Sequence, residues 1–110
     1  MEKYLIDISD IAKHDIKSIA AYITNEFKEP VIAINTVDSI IDAIYTLEDM
    51  PDRIALVKDK HLAEKGIRPL HVKNYTVFFR INRDRRTDSK NVIDIIRVLY
   101  SHRDWASLLS

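Results

Sequence analysis

The sequence predicts an α+β domain of element order β-α-α-β-β-β-α. In this fold a helical hairpin packs on one face of a mostly antiparallel four-stranded sheet. Two observations predict it: one strand-forming run precedes two helical stripes of apolar residues, and three strand-forming runs follow them. Segregation of helices and strands in this way is typical of α+β domains. At 110 residues and 46% apolar composition, the chain has the length and core of a single domain covering residues 1–110.

The first half of the chain predicts a strand at residues 4–8 and then two helices. Ser9 and Asp10 can accept hydrogen bonds from the first backbone amides of a helix, and Pro30 suits the first turn of the next one. Apolar residues at helical spacing place one stripe on the first helix at Ala12, Ile16, Ile19, Ala20, Ile23 and Phe27. The second stripe consists of Ile34, Val37, Ile41, Ile44 and Leu47.

The second half predicts a three-stranded meander with strands at residues 67–72, 75–82 and 92–100, followed by a terminal helix at residues 103–109. A short helical turn near His61 ends at Gly66, which suits a positive φ angle. Alternation along the middle strand directs one set of side chains toward the hairpin, namely Tyr75, Val77, Phe79 and Ile81. The other set, Thr76, Phe78, Arg80 and Asn82, points to the opposite face.

The face of the sheet away from the hairpin is expected to be partly apolar and exposed. Apolar surface of this kind commonly marks a partner site. The residues expected to form it are Phe78, Ile93, Ile95 and Leu99.

Charge is divided unevenly along the chain although the net charge is zero. Residues 1–57 hold 5 Lys and Arg against 11 Asp and Glu, a net charge of −6, whereas residues 58–110 hold 12 against 6, a net charge of +6. A contiguous basic face would suit phosphates or an acidic protein. The alternative, which charge by itself favours, is that the two halves neutralise each other within the fold.

Other features of composition indicate a cytoplasmic protein without metal or cofactor. The chain has no cysteine, which suits a reducing compartment. Its start lacks the pattern of a signal peptide, and no apolar run approaches the roughly 18 residues of a membrane span. The histidines His61, His71 and His102 lack the close pairing that a zinc site requires.

Three local patterns, together with the order of elements, carry a family resemblance. They are GIRPLHV at residues 66–72, NYTVFFRI at residues 74–81 and IRVLYSHRDW at residues 96–105. On these patterns the chain resembles the RelE/ParE superfamily of bacterial type II toxins. The resemblance implies a toxin that a cognate antitoxin neutralises by laying an extended or helical segment over the domain.

The resemblance implies two possible targets. RelE-like toxins cut messenger RNA in the ribosomal decoding site, whereas ParE-like toxins inhibit DNA gyrase without known hydrolytic chemistry. Metal-free RNA cleavage needs a base, an acid and cations that stabilise the charge on phosphorus. His102 can exchange a proton near neutral pH, and Arg80 and Arg103 can bind phosphate. These three residues are the predicted catalytic set.

Further residues are predicted to contact RNA or phosphate. Arg68 lies near the basic strand of RelE-like toxins, and Tyr100 can stack on a base. Arg85 and Arg86 lie in a basic cluster that is either a solvated hairpin tip or a sequence-independent phosphate contact. Arg97, inside an apolar strand, is predicted to be structural and paired with Asp104 or a backbone carbonyl.

The sequence also departs from the RelE-like pattern. Thr76 stands where these toxins have an arginine, and Leu108 or Leu109 stands where they have a tyrosine. The departures, with the ending RDWASLL, favour gyrase inhibition, while the basic half and the adjacent His102 and Arg103 favour ribosome-dependent mRNA cleavage. The sequence leans slightly toward cleavage. A domain that has lost toxicity is the third possibility.

Overall fold

A computed structural model describes residues 3–87 and 90–109 of the chain. Its strands and helices follow the predicted order, and the helical turn predicted near His61 is a short helix before the meander. Two 3-10 turns, Thr46–Glu48 and Pro51–Arg53, continue from the second helix. The elements are β1 (Leu5–Ile8), α1 (Asp10–Phe27), α2 (Pro30–Tyr45), α3 (Lys60–Glu64), β2 (Ile67–Val72), β3 (Tyr75–Thr87), β4 (Lys90–Tyr100) and α4 (Trp105–Leu109).

The four strands form one sheet in the order β1-β4-β3-β2. β1 is parallel to β4, and the two other pairings are antiparallel, which confirms the predicted sheet. A tight turn at Lys73 and Asn74 joins β2 to β3, and Lys73 has a φ of 54°. Because β1 and β2 are the edge strands, β3 and β4 form the interior of the sheet and carry its most buried side chains.

Both helices of the hairpin begin where the sequence predicts, but α2 ends at Tyr45, so the predicted stripe residue Leu47 lies in the first 3-10 turn. The Ser9 hydroxyl accepts a hydrogen bond of 3.0 Å from the Ala12 amide, satisfying one of the free donors at the start of α1. Lys28 ends α1 in the left-handed conformation, and Pro30 occupies the first turn of α2. The short connection between the helices makes them neighbours in an antiparallel hairpin.

The main core lies between this hairpin and one face of the sheet. The hairpin contributes Ala12, Ile16, Ile40 and Ile44 to it, and β3 contributes the buried Val77 and Phe79 with the partly buried Tyr75 and Ile81. The predicted alternation of β3 is therefore confirmed. Two stripe residues are exceptions, because Phe27 and Ile34 are mostly exposed.

The segment Pro30–Glu48 is long and apolar enough to cross a membrane by length and composition alone. Within it, Ile40, Ile44 and Leu47 are fully buried in the main core. Asp38 and Asp42 lie in the middle of the segment, where a charged side chain would be costly in a bilayer. The apolar residues on the buried side of α2 are thus explained by the core, whereas Val31, Ile32 and Ile34 are at least half exposed.

The opposite face of the sheet is covered, so the expectation of an exposed apolar surface there is wrong. α3, α4 and the segment around Val57 pack on Phe78 and Leu99 in a second core. Ile93 and Ile95 lie on the hairpin side instead, in the main core. All four residues predicted to bind an antitoxin are at most 2% exposed.

A β-bulge explains why Ile93 and Ile95 were assigned to the wrong face. Phe78 pairs with Arg97, but its neighbour Phe79 pairs with Ile95, which leaves Ile96 as an extra residue in β4. A bulge of this kind shifts the alternation of side chains by one. Odd-numbered residues before the bulge, such as Ile93 and Ile95, therefore face the hairpin, whereas Leu99 after it faces the second core.

Candidate functional site

A cleft of about 880 Å³ lies between α1 and the end of the sheet where β3 begins and β4 ends. We refer to it as the tyrosine cleft. Its lining comes from three regions of the chain, and it includes three site residues predicted from the sequence, Leu99, Tyr100 and Arg103. The volume is within the range of about 300–1,000 Å³ that is usual for ligand sites.

Asp15 and Arg97 form an ion pair that lines this cleft. The Arg97 guanidinium donates to both carboxylate oxygens, through Nε at 2.8 Å and Nη2 at 2.9 Å. The Val98 amide donates a third hydrogen bond of 3.0 Å to the same carboxylate. The hydrogen bond to Asp15 raises the pKa of Arg97 above its usual value. Arg97 is therefore structural, as predicted, but its partner is Asp15 and not Asp104.

Three tyrosines line the cleft and lie close together. The rings of Tyr75 and Tyr100 meet edge to face, with centroids 6.0 Å apart. Burial raises the pKa of the Tyr75 phenol, and the neighbouring phenols of Tyr22 and Tyr100 raise it further. Tyr22 is 57% exposed and Tyr100 is 47% exposed, so their rings remain accessible from the cleft.

His102 and Arg103 follow β4 in the turn that precedes α4. The His102 ring packs on Tyr100, with centroids 5.3 Å apart. Arg103 lines the cleft, and its backbone amide donates to the Tyr100 carbonyl at 3.0 Å. The guanidinium of Arg103 has no hydrogen-bond or ion-pair partner within residues 3–87 and 90–109. The structure thus brings Tyr100, His102 and Arg103 together.

Arg80 is not part of this group, so the structure does not bring the three residues of the predicted catalytic set together. Arg80 lies five residues along β3 from Tyr75, about 16 Å at the usual rise of a strand. Its guanidinium is 3.6 Å from the Asp94 carboxylate, in a shallow pocket that also contains Leu109 of α4. The strand geometry separates Arg80 from the turn that holds His102 and Arg103.

The side chain of Arg68 makes a structural contact. It donates to the backbone carbonyl of Ile54 and so ties β2 to the segment that follows the second 3-10 turn. Its predicted role in binding RNA is untested.

Arg85 and Arg86 lie on the extended hairpin of β3 and β4. Arg85 bridges Asp7 at 2.6 Å and Asp94 at 3.3 Å, and the hydrogen bond to Asp7 raises its pKa. Arg86 donates to Asn91 at 3.1 Å. Both arginines belong to strands where the sequence predicted a loop.

Thr76 occupies the position at which RelE-like toxins are expected to have an arginine. It is 3% exposed, and its hydroxyl lies 3.0 Å from His71 Nδ1 and 2.8 Å from the Ser101 hydroxyl. This chain of hydrogen bonds joins β2, β3 and the turn after β4. A buried hydroxyl with two partners serves as a structural link between strands.

The sequence did not single out His14, Tyr22, Asn74 or Tyr75 as site residues, although all four line the cleft. Their positions on α1 and at the start of β3 become adjacent only when the hairpin packs on the sheet. Among the described residues, no three His, Asp or Glu side chains lie close enough to hold a metal ion.

Exposed apolar side chains lie mainly on the hairpin. Those at least half exposed are Ile11, Tyr22, Phe27, Val31, Ile32 and Ile34, with Met50 in the turn beyond α2.

Residues 6–105 match the family model of the ParE toxin of type II toxin-antitoxin systems, parDE. The chain belongs to the ParE toxin family. The match covers both helices of the hairpin and all four strands, so the resemblance to the RelE/ParE superfamily is confirmed. Comparison with curated proteins gives no match.

Two solved structures share the fold of this ParE-family chain. One is described as the chromosomal ParDE toxin-antitoxin system from P. aeruginosa. It has a TM-score of 0.70 and 17% sequence identity, over 91% of this chain and 98% of that one. The other is the RelBE2 toxin-antitoxin complex from Mycobacterium tuberculosis, with a TM-score of 0.58 and 15% identity, over 89% and 98% of the two chains.

Proposed function

We propose that this ParE-family toxin inhibits DNA gyrase by binding and without hydrolytic chemistry. The match of residues 6–105 to the ParE toxin family carries the proposal, because gyrase inhibition is the activity that resemblance to ParE-like toxins implies. We also propose that a cognate antitoxin neutralises the toxin and that both act in the cytoplasm.

The placement of the predicted catalytic residues supports this proposal. Acid–base cleavage needs its groups within hydrogen-bond reach of one substrate. Arg80 is about 16 Å along the strand from the sheet end where His102 follows β4, and it is engaged with Asp94. Thr76, in place of the expected arginine, has its hydroxyl occupied by two partners. In the part of the chain that the structure describes, the predicted cations therefore do not form a compact site around His102.

Ribosome-dependent mRNA cleavage is the second candidate. It is favoured by one observation, the adjacency of Tyr100, His102 and Arg103 at the edge of an open cleft. In that case His102 would carry a proton and Arg103 would stabilise the phosphate in the transition state.

A supercoiling assay with purified gyrase tests the proposal directly. We expect the toxin to block supercoiling in a concentration-dependent manner, and the product of the neighbouring gene, added first, to restore it. Unaffected supercoiling at a large excess of folded toxin would refute gyrase as the target.

Primer extension on translated messages from cells expressing the toxin tests the second candidate. Gyrase inhibition predicts no new 5′ ends. Cleavage that disappears in the double variant His102→Ala and Arg103→Ala, and persists in Arg83→Ala, would establish the RNase activity instead. Arg83 is a matched control because it is exposed on β3 outside the cleft.

A further inference from the structure

The tyrosine cleft is electrostatically suited to an anion. Among the described residues, Asp15 is the only carboxylate that lines the cleft, and Arg97 already neutralises this group at 2.8 Å. The guanidinium of Arg103 has no hydrogen-bond or ion-pair partner within residues 3–87 and 90–109. The nearest acid in the sequence, Asp104, does not line the cleft and instead lies 3.4 Å from the Ser107 hydroxyl. One unpaired guanidinium therefore faces a cleft without free negative charge.

The aromatic lining is suited to a planar ring. Tyr22 and Tyr100 are about half exposed although both line a concave surface, and the ring of Tyr75 contacts that of Tyr100. Exposed aromatic rings stack on nucleobases irrespective of base sequence. The hydroxyl of a tyrosine can also donate a hydrogen bond to a phosphate or ribose oxygen. Aromatic platforms beside an arginine are the usual composition of sites for unpaired nucleotides.

We propose that the tyrosine cleft binds a nucleoside phosphate, with the base against Tyr22 and Tyr100 and the phosphate on Arg103. The ligand is either a free nucleotide or an unpaired nucleotide of a single strand. This binding is independent of gyrase inhibition, so each can fail without the other.

The topology disfavours an extended peptide as the occupant. Peptides that bind in extended form commonly add a strand to a free sheet edge. The strands that reach the cleft are β3 and β4, which are both internal in the order β1-β4-β3-β2. Main-chain partners for a peptide are therefore absent along these two strands, whereas the side chains needed for a base and a phosphate are present.

Fluorescence anisotropy with labelled single-stranded eight-mers of DNA and RNA tests the proposal. We expect binding at low salt, competition by unlabelled AMP, and weaker binding to a duplex of the same sequence, because its bases are not free to stack. Binding of fluorescently labelled AMP, without binding of either eight-mer, would identify the free nucleotide as the source of the ligand.

Two pairs of variants make the test specific. Arg103→Ala should weaken binding, whereas Arg83→Ala, which removes the same charge outside the cleft, should not. Tyr100→Ala should weaken binding by about fivefold or more, since stacking contributes roughly 1–3 kcal/mol per base. Tyr45→Ala is its control, because Tyr45 is also 47% exposed but lies on α2.

Circular dichroism spectra of each variant check that it folds, and Tyr100→Phe, which keeps the ring, should retain most of the binding. Equal losses in Arg103→Ala and Arg83→Ala would overturn the proposal by showing only non-specific attraction to a basic surface. Competition by inorganic phosphate as strong as by AMP would also overturn it, because the tyrosines would then contribute nothing.

Discussion

Replacing Asp15 by alanine should strongly destabilise the fold. The Asp15 side chain is 9% exposed and accepts three hydrogen bonds, two from Arg97 and one from the Val98 amide. Its removal leaves a guanidinium that is 20% exposed without a counter-ion, and a buried amide without an acceptor. Breaking a buried pair in this way costs about 3–5 kcal/mol. Because Arg97 keeps some access to water, we expect a loss of about 3–4 kcal/mol.

Urea unfolding monitored by circular dichroism measures this loss. At an m-value of about 2 kcal/mol/M, the midpoint should fall by roughly 1.5–2 M. Asp38→Ala is the control, because Asp38 is exposed on α2 and no hydrogen bond or ion pair of its side chain is present among the described residues. This substitution should change stability by less than about 0.5 kcal/mol.

A double-mutant cycle tests the physical reason. Once Asp15 is absent, Arg97→Ala removes an unpaired charge, so the double variant should lose less stability than the sum of the two single variants, by about 1–3 kcal/mol. If the losses in unfolding free energy of the two single variants add strictly, or if Asp15→Ala loses less than about 1 kcal/mol, the ion pair does not stabilise the packing of α1 on β4.

Three further outcomes are expected. Arg68→Ala should lower the free energy of unfolding by about 1.5 kcal/mol, because the charged hydrogen bond to the Ile54 carbonyl is lost. An unchanged midpoint in urea unfolding would contradict this. Gly66→Ala should lower the free energy of unfolding by about 1–2 kcal/mol, because φ is 82° there and the new Cβ would lie 3.4 Å from Arg80 Cγ. An unchanged thermal unfolding temperature would contradict the strain. Tyr75 has a raised pKa, so the stability from its neutral phenol is present below about pH 10 and is lost as the pH rises through the folded value. Tyr75→Phe should therefore lose less stability than the natural chain between pH 9 and 11, and parallel pH profiles would contradict the shift.

The uneven charge of the chain is partly explained by pairing between its halves. Arg97 pairs with Asp15 and Arg85 pairs with Asp7, and each pair joins a cation of the second half to an acid of the first. These contacts support the interpretation that the halves neutralise each other in the fold. Arg103, left without such a partner among the described residues, is the basis of the proposed nucleotide site.

The sequence alone determined the order of elements, the first residues of both hairpin helices and the alternation of β3. These features depend on local properties: the spacing of apolar residues, a capping serine at position 9, a proline at position 30 and a glycine at position 66 with positive φ. The family resemblance was accessible for the same reason, because its motifs lie within single strands and turns.

Only the tertiary structure decided which face each residue of β4 occupies and which side chains form the cleft. The extra residue Ile96 inverts the alternation within one strand, so that Ile95 and Leu99 share parity in the sequence but lie on opposite faces. The pairing of Asp15 with Arg97 joins residues 82 positions apart. Contacts over such separations arise from the packing of α1 on the sheet, and local sequence patterns carry no information about them.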